Sequence, residues 1–344
     1  MHKKHLFGLF VSVMFLLSAF AIISPGAAAQ EEKAIAFRPP WENPDPEPDP
    51  DPEPVDQTTP WGIARVNAIE AAGQVDESGV TIAIIDTGLD YNHPDLQGLF
   101  VWGWSYYTST IVRRRSVVTE VDIECTQADP SACFDDAGHG THVAGTIAAQ
   151  DNDQGVIGVA PDVNLYIFKA LGADGSGSYT AIANSIIKAT QGPDGVPGTS
   201  DDADVISMSL GGPSGTTELE AAVNYALNYG VVIVAATGND GASTPSYPAA
   251  YPGVLKVGAM DVNNAIASFS NRGEDVFAPG VAVLSCVPGG SYESWAGTSM
   301  ATPHVSAIAA LAIAAHPSYT NTQIFNLIVA SVDSYGMVNA LNVI

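Results

Sequence analysis

Four residues that can do chemistry fall at the ends of predicted strands or at the starts of predicted helices. Asp86 ends the apolar run VTIAIID, and Asn239 follows the apolar run VVIVAAT. His139 and Ser299 stand at the predicted helix starts in GHGTHVAG and GTSMATPHVSA. Because ligands of parallel α/β folds sit beyond the carboxyl ends of the strands, we expect these four side chains to share one site.

An acid, an imidazole, a hydroxyl and an amide are the groups that an acyl-transfer site needs. A serine hydroxyl becomes a nucleophile when a neighbouring imidazole accepts its proton. A carboxylate fixes the tautomer of that imidazole and stabilises its charged form. A backbone N–H at a helix start and an Asn side chain can stabilise the negative oxygen of a tetrahedral intermediate. Each motif is weak alone, but together the four favour acyl transfer.

The two histidines of GHGTHVAG, His139 and His142, could instead form a metal-binding pair. A zinc site of this kind needs a third ligand and usually a glutamate that acts as general base. Neither lies on this segment. We therefore interpret the pair as one working histidine and one packing histidine.

Strand-like apolar runs and helical patterns alternate from about Gln57 to the end of the sequence. They occupy residues 80–86, 141–149, 164–171, 180–190, 204–210, 218–230, 231–237, 254–260 and 299–315. Continuous apolar strands between helices indicate a parallel sheet that is buried on both faces. We predict one α/β domain over residues 57–344.

The N-terminal residues 1–29 have the pattern of a secretory signal peptide. Lys3 and Lys4 precede a long apolar run, and Ala27 and Ala29 fit the cleavage rule, which places the cut after Ala29. An uncleaved membrane anchor is the alternative, because the run is long enough to span a bilayer. After cleavage we expect a secreted protein without a membrane segment. Residues 30–56 alternate proline with acid and predict an extended linker.

Composition excludes nucleic acid as a partner, and it leaves the pairing of the cysteines undecided. The formal net charge is −25, with 12 basic and 37 acidic residues, so the chain lacks the basic face that nucleic-acid binding requires. Cys125 and Cys133 could close a small loop in an exported protein, and Cys286 is expected to be a buried free thiol. Because there are three cysteines, the sequence leaves their pairing undecided.

The motifs of the predicted domain resemble those of the subtilisin-like serine proteases. Four stretches match the sequences of that family almost without interruption: GHGTHVAGTIAA, LGADGSGSY, DVISMSLGGPSG and GTSMATPHVSA. The resemblance covers nearly all of 57–344. It implies a three-layer αβα fold around a mostly parallel sheet, and a secreted serine endopeptidase.

The resemblance also implies a role for each of the four residues. Asp86 orients His139 and stabilises its charge, and His139 acts as general base and then as general acid. Ser299 is the nucleophile, and Asn239 forms the oxyanion hole together with the N–H of Ser299. His142 then packs beneath the site.

The substrate implied by the resemblance is a peptide or protein chain held in extended form. Two segments would bind it by strand addition, Gly175-Ser176-Gly177 and Ser209-Leu210-Gly211. The pocket for the side chain before the cut would be lined by residues 209–212, including Gly212, by Ala236-Thr237-Gly238, and by Ser246. Since Ser246 stands where the best-known members have glycine, we expect a shallower pocket and broad specificity with an apolar or aromatic preference.

Calcium is the one cofactor that the resemblance implies, and its role would be structural. Oxygen ligands of the kind that calcium prefers match the family's tight site. They are the side chains of Gln57, Asp95 and Asn152 and the carbonyls of Gln150, Gln154 and Val156. A weaker site could use Asp275, and the aspartate-rich insertion 192–204 could bind calcium or be a solvated loop.

Two features depart from the family's pattern. The segment between Asp95 and His139 is longer than in short bacterial members and contains Arg113–Arg115; it could form a flap near the cleft or a nicking site. Secreted members usually carry a folded prodomain, whereas residues 30–56 cannot form a core. We expect a monomer that folds unaided or with a trans-acting helper or inhibitor.

Two rival functions follow from the same residues. An esterase could use the same triad, but the G-x-S-x-G pattern that would favour it is absent around Ser299. A catalytically silent, calcium-stabilised binding protein is the alternative from another class. The presence of the acid, the imidazole, the hydroxyl and the amide weighs against it.

Overall fold

The computed structural model describes residues 56–113 and 115–344, and it gives no side-chain detail for 108–120. The predicted signal peptide 1–29 and the linker up to residue 55 therefore lie outside the described residues. Arg114 lies outside them as well, so the prediction of a flap or nicking site at the arginine cluster stays a prediction.

A central sheet of eight strands organises the fold. The strands are β1 (Thr81–Asp86), β2 (Phe100–Arg113), β3 (Arg115–Thr126), β4 (Asn164–Lys169), β5 (Val205–Met208), β6 (Val232–Ala236), β7 (Leu255–Met260) and β8 (Val276–Pro279). Their order is β3-β2-β4-β1-β5-β6-β7-β8, and all neighbours are parallel except β3, which is antiparallel to β2. Because β1 pairs with β4 on one side and β5 on the other, a crevice opens at its carboxyl end.

Helices cover both faces of the sheet. They are α1 (Trp61–Arg65), α2 (Ala68–Ala72), α3 (His139–Ala148), α4 (Tyr179–Gln191), α5 (Thr217–Asn228), α6 (Thr298–Ala315) and α7 (Asn321–Ala330). A separate ribbon pairs β9 (Val283–Val287) with β10 (Ser291–Trp295). Within the described residues, short 3₁₀ turns lie at Pro94–Leu96, Ser131–Cys133 and Ala340–Asn342.

Successive residues of β1 supply two separate cores, as the alternation of side chains along a strand requires. Ile82 and Ile84 belong to the core that contains α3 and α6, whereas Ala83 and Ile85 belong to the core that contains α4 and α5. The strand is buried at every position, which explains its continuous apolar sequence. The predicted α/β fold with three layers and a mostly parallel sheet is confirmed.

The segment that is longer than expected forms a hairpin at one edge of the sheet. Only residues 100–105 of β2 pair with β4, so the rest of the hairpin extends past its neighbour. At its base, Cys125 and Cys133 are joined by a disulfide, and Cys286 is buried and unpaired. The bond connects β3 to the turn that leads towards His139.

Among the described residues, α6 is the one helix that is long and apolar enough to cross a membrane, and 78% of it is buried inside the protein. Its apolar surface packs against the strands of the sheet rather than facing outwards. We therefore interpret α6 as a core helix of the α/β fold.

Candidate active site

The imidazole of His139 is bonded to the carboxylate of Asp86 at the carboxyl end of β1. His139 Nδ1 lies 2.7 Å from Asp86 Oδ1, which also accepts a hydrogen bond from the N–H of Thr87. The Asp86 side chain is 1% exposed and that of His139 is 29% exposed, so the pair opens to solvent through the imidazole. Burial opposes the charged form of His139, but the charge and hydrogen bond of Asp86 outweigh it and raise the pKa of His139.

A second carboxylate, Asp135, fixes the loop that carries His139. Its oxygens accept hydrogen bonds from Thr87 Oγ1, Ala137 N, Gly138 N, Thr141 N and Thr141 Oγ1, at 2.7–3.0 Å. Burial opposes its ionised form, but these hydrogen bonds lower the pKa of Asp135 below its usual value. Asp135 therefore ties the end of β1 to the start of α3.

Ser299, the second residue of α6, is held against the end of β5 by two hydrogen bonds with Ser209. Pro303 has no N–H to donate to the carbonyl of Ser299, and the Ser209 hydroxyl donates to that carbonyl instead, at 2.7 Å. The Ser299 hydroxyl donates to the carbonyl of Ser209 at 3.0 Å. The structure thus brings Ser299 to the same end of the sheet, with its hydroxyl bonded to Ser209 and not to His139.

The side chain of Asn239 is oriented by Thr298, the residue before Ser299. Asn239 Oδ1 accepts hydrogen bonds from Thr298 N at 2.8 Å and from Thr298 Oγ1 at 2.9 Å. This leaves Asn239 Nδ2 as a donor. A Cβ placed on Gly297 would lie 3.5 Å from Asn239 Nδ2 and 3.6 Å from Ser299 N, so the two predicted oxyanion donors flank one point.

A cleft of about 610 Å³ contains His139 together with both predicted peptide-binding segments. Gly175, Ser176 and Gly177 line one side, and Ser209, Leu210, Gly211 and Gly212 line the other. Tyr179 and Ile182 of α4 line it as well, although no sequence motif indicated them.

The predicted side-chain pocket continues from the 209–212 segment. Ser246 N donates to Thr237 O at 2.8 Å, and a Cβ on Gly211 would lie 3.0 Å from Ser246 Cβ. Gly238 has φ +106°, and a Cβ there would lie 2.6 Å from Ser246 Oγ. Ala236 is buried at the end of β6. Ser246 thus lies next to both Gly211 and Gly238, which come from separate motifs.

His142 packs beneath the site against the ring of Trp295, which no sequence motif indicated. Its ring lies 4.6 Å from that of Trp295, with 6° between the planes, and its Nε2 lies 3.1 Å from two carbonyl oxygens, of Val283 and Glu293. Burial lowers the pKa of His142 to about 4, so the ring is neutral near pH 7. Trp295 also lies 6.3 Å from the His139 ring. No local pattern marked this tryptophan, because β10 brings it there only after folding.

Comparison with known proteins gives a match to the subtilase family over residues 77–342. The chain belongs to the subtilase family. It is 42% identical to Subtilisin E of Bacillus subtilis over 275 residues, which is 78% of this chain and 64% of that relative. It is 44% identical over 286 residues to Subtilisin Savinase and Subtilisin BL of Lederbergia lenta, which is 82% of this chain and 94% of each. The chain thus spans less than two thirds of the length of several of these relatives. The family resemblance predicted from the motifs is confirmed.

In this subtilase, the six residues expected to bind calcium lie together. The Gln57 side-chain nitrogen lies 2.8 Å from the carbonyl of Gln150 and 3.5 Å from that of Val156. Asp95 accepts from Val156 N at 2.9 Å and from Asn152 Nδ2 at 3.4 Å. Asn152 Oδ1 accepts from Gln154 N at 3.1 Å.

The donor set around Asp95 fits a hard cation. Its carboxylate is fully buried, and no lysine or arginine pairs with it among the described residues. Two carbonyl oxygens already face the carboxamide of Gln57, and a 180° turn of that carboxamide places its oxygen beside them. Buried carboxylate, amide and carbonyl oxygens are the ligands that calcium prefers.

The other candidate cation ligands have partners within the protein. Asp275 Oδ2 lies 2.7 Å from Lys256 Nζ, so this carboxylate is paired with an ammonium group, and the weaker cation site stays a prediction. In the insertion 192–204, Asp194 accepts from Val196 N and Asp202 accepts from Thr199 N. This pattern is that of a loop closed by its own aspartates.

Proposed function

We propose that the chain is a serine endopeptidase in which Asp86, His139 and Ser299 form the catalytic triad. The observation that carries the proposal is the bonded pair of Asp86 and His139, which opens into a cleft lined by two extended segments, with Ser299 held at the 209–212 segment. An extended peptide fits between two backbone edges by adding a strand.

In the proposed reaction, an incoming peptide redirects the Ser299 hydroxyl from the Ser209 carbonyl towards His139. His139 Nε2 accepts the hydroxyl proton while Ser299 Oγ attacks the scissile carbonyl carbon, and Asp86 stabilises the imidazolium that forms. His139 then donates this proton to the leaving amine, which gives an acyl-enzyme on Ser299. Water, deprotonated by His139, hydrolyses this ester and restores the serine.

The negative oxygen of the tetrahedral intermediate would bind between Asn239 Nδ2 and Ser299 N. The support is that both donors flank the same point beside Gly297, and that Thr298 fixes the carboxamide in advance. Donors that need no reorganisation during the reaction stabilise the transition state more than the substrate.

Substrate preference would be broad, with an apolar or aromatic residue before the cut. The support is that Ser246 lies against Gly211 and Gly238, where its hydroxymethyl group would make a side-chain pocket shallower. A shallower slot holds a flat or medium-sized side chain without a charge partner.

The proposal includes a structural calcium ion, secretion and a monomeric state. Calcium would be held by the six residues around Asp95 and would stabilise the folded form, because it binds only that form. Secretion rests on the signal pattern of residues 1–29. A helper or inhibitor acting in trans remains a prediction from the short segment 30–56.

The proposal is tested by covalent labelling with a serine-directed phosphonate, followed by digestion of casein. The wild-type protein, loaded with calcium, should incorporate one label and cut casein, and Ser299→Ala should do neither while keeping its melting temperature. Ser268→Ala removes the hydroxyl of an exposed serine that has no role in the proposed site. It is the matched control and should behave as the wild type. If the wild type takes no label and leaves casein intact, the binding-protein alternative replaces this proposal; labelling without casein cleavage would favour an esterase.

A further inference from the structure

Glu77 is a buried acid that the proposed reaction does not use. It lies just before β1 and is 2% exposed, and its Oε1 has no hydrogen-bond partner. A buried carboxylate oxygen without a partner costs free energy, and such groups are normally paired or bound to a metal. A bound ligand would give the buried Oε1 of Glu77 the partner that it lacks.

A cavity of about 390 Å³ lies against Glu77, between α2 and the loop that follows α3. Its polar lining consists of Glu77, Gln150, Asp151, Asn152 and Asp162. Its remaining lining residues are uncharged, so three carboxylates share the space without a lysine or arginine.

The electrostatics of the cavity favour a cation. Burial raises the pKa of Glu77 and the charges of Asp162 and Asp76 add to the rise, which together outweigh the backbone hydrogen bonds of Glu77 and Asp162 that lower it. Asp151 and Asp162 are exposed and stay hydrated, so they can attract an ion from solvent to the buried carboxylate. The net charge of −25 adds to this attraction.

We propose that this cavity binds a divalent cation of the calcium class, with Glu77 as its buried ligand and carboxylate oxygens of Asp151 and Asp162 as further ligands. The site is separate from the one around Asp95, although Gln150 and Asn152 belong to the loop that borders both. Binding would satisfy Glu77 Oε1 and connect the segment before β1 to this loop. Carboxylate oxygens of this kind are ligands that hard divalent cations prefer.

The competing explanation is that Glu77 is simply a protonated acid, and Glu77→Gln separates the two. Glutamine has the same shape and no charge. In calcium-free buffer it should raise the melting temperature, because it removes the charge of a buried carboxylate whose Oε1 has no partner. With saturating calcium the order should reverse, because only the wild type gains the ion.

The experiment measures calcium stoichiometry by isothermal titration and melting temperature with and without calcium, on the full chain. Glu77→Gln should bind one ion fewer than the wild type. Glu70→Gln, an equal loss of charge at an exposed position on neighbouring α2, should keep the wild-type stoichiometry. Asp162→Asn should weaken the same ion at least tenfold without removing the buried acid.

The comparison is with the wild-type count, so it holds whether or not the Asp95 site binds calcium. The proposal fails if Glu77→Gln and the wild type bind the same number of ions with the same shift in melting temperature. It also fails if Glu70→Gln loses the ion equally, since the effect would then be one of overall charge.

Discussion

The Thr87 hydroxyl donates a 2.8 Å hydrogen bond to the buried carboxylate of Asp135, and it accepts a 2.8 Å bond from the N–H of Gly140. Thr87 directly follows Asp86, and Gly140 directly follows His139. One side chain therefore sets the spacing between the strand that carries the acid and the helix that carries the imidazole.

Thr87→Val should lower kcat by about tenfold with little change in KM, because it removes both hydrogen bonds, worth roughly 1–3 kcal/mol, while preserving shape. Thr87→Ser keeps the hydroxyl and should retain most of the wild-type kcat. Steady-state kinetics on a peptide substrate provide the measurement. Equal kcat values for the two variants would remove Thr87 from the positioning network.

Asn239→Ala should reduce kcat by roughly 10²–10³, the effect of losing one oxyanion-hole donor. KM should change little, since the donor is aimed at charge that develops in the transition state. Phosphonate labelling should slow in parallel, while the melting temperature stays within a few degrees. Full turnover in this variant would contradict the assignment of Asn239 Nδ2.

Activity should fall on the acid side with a midpoint above the ordinary imidazole value of ~6.5. Burial opposes protonation of His139, but Asp86 and, more weakly, Asp135 raise its pKa, and a protonated imidazole cannot accept the serine proton. The measurement is kcat/KM from pH 5 to 9, with folding checked at each pH. A profile that is flat through this range would be inconsistent with His139 as general base.

Stability should decrease as the pH falls from about 6.5 to 4, because burial lowers the pKa of both His142 and His304 to about 4. Both rings are neutral in the folded protein, whereas in the unfolded chain they bind protons below about 6.5. The contribution of the two neutral rings to the stability of the folded protein is therefore complete above the histidine pKa of the unfolded chain. Each histidine's contribution to the free energy of unfolding falls by up to about 3 kcal/mol through this pH window, since a tenfold difference in proton affinity equals about 1.4 kcal/mol.

Urea unfolding at pH 7, 5.5 and 4.5 measures this loss. His304→Gln should show a shallower dependence of the free energy of unfolding on pH, whatever its absolute stability. A free energy that stays constant down to pH 4.5 would show that these rings titrate normally.

A chelator should lower the melting temperature by about 5 °C relative to calcium at 100 times its dissociation constant, which corresponds to ~2.7 kcal/mol. Asp95→Asn should reduce this response, and Glu220→Gln, an exposed acid on α5, should leave it unchanged. Scanning calorimetry gives the three values. Melting that is unaffected by chelator and by added calcium in the wild type would exclude both cation sites.

The sequence predicted every strand from β4 to β7, because a strand buried on both faces must be apolar throughout and is bounded by recognisable turns. It missed β2 and β3, whose residues alternate aromatic, polar and charged groups and lack a continuous apolar run. β2 pairs with β4 on one side and with β3 on the other, and the disulfide between Cys125 and Cys133 closes the base of this hairpin, so both strands are fixed by contacts that no apolar run marks.

The sequence by itself predicted which residues would carry the proposed chemistry. Asp86, His139, Asn239 and Ser299 stand at element ends that a parallel sheet gathers at one edge, and short local motifs suffice to find them. Only the tertiary structure decided what surrounds them: Asp135 against Thr87, Trp295 against His142, and Glu77 in its cavity. Those contacts join residues from different elements, and burial and unpartnered polar atoms exist only once the chain has folded, so no local pattern encodes them.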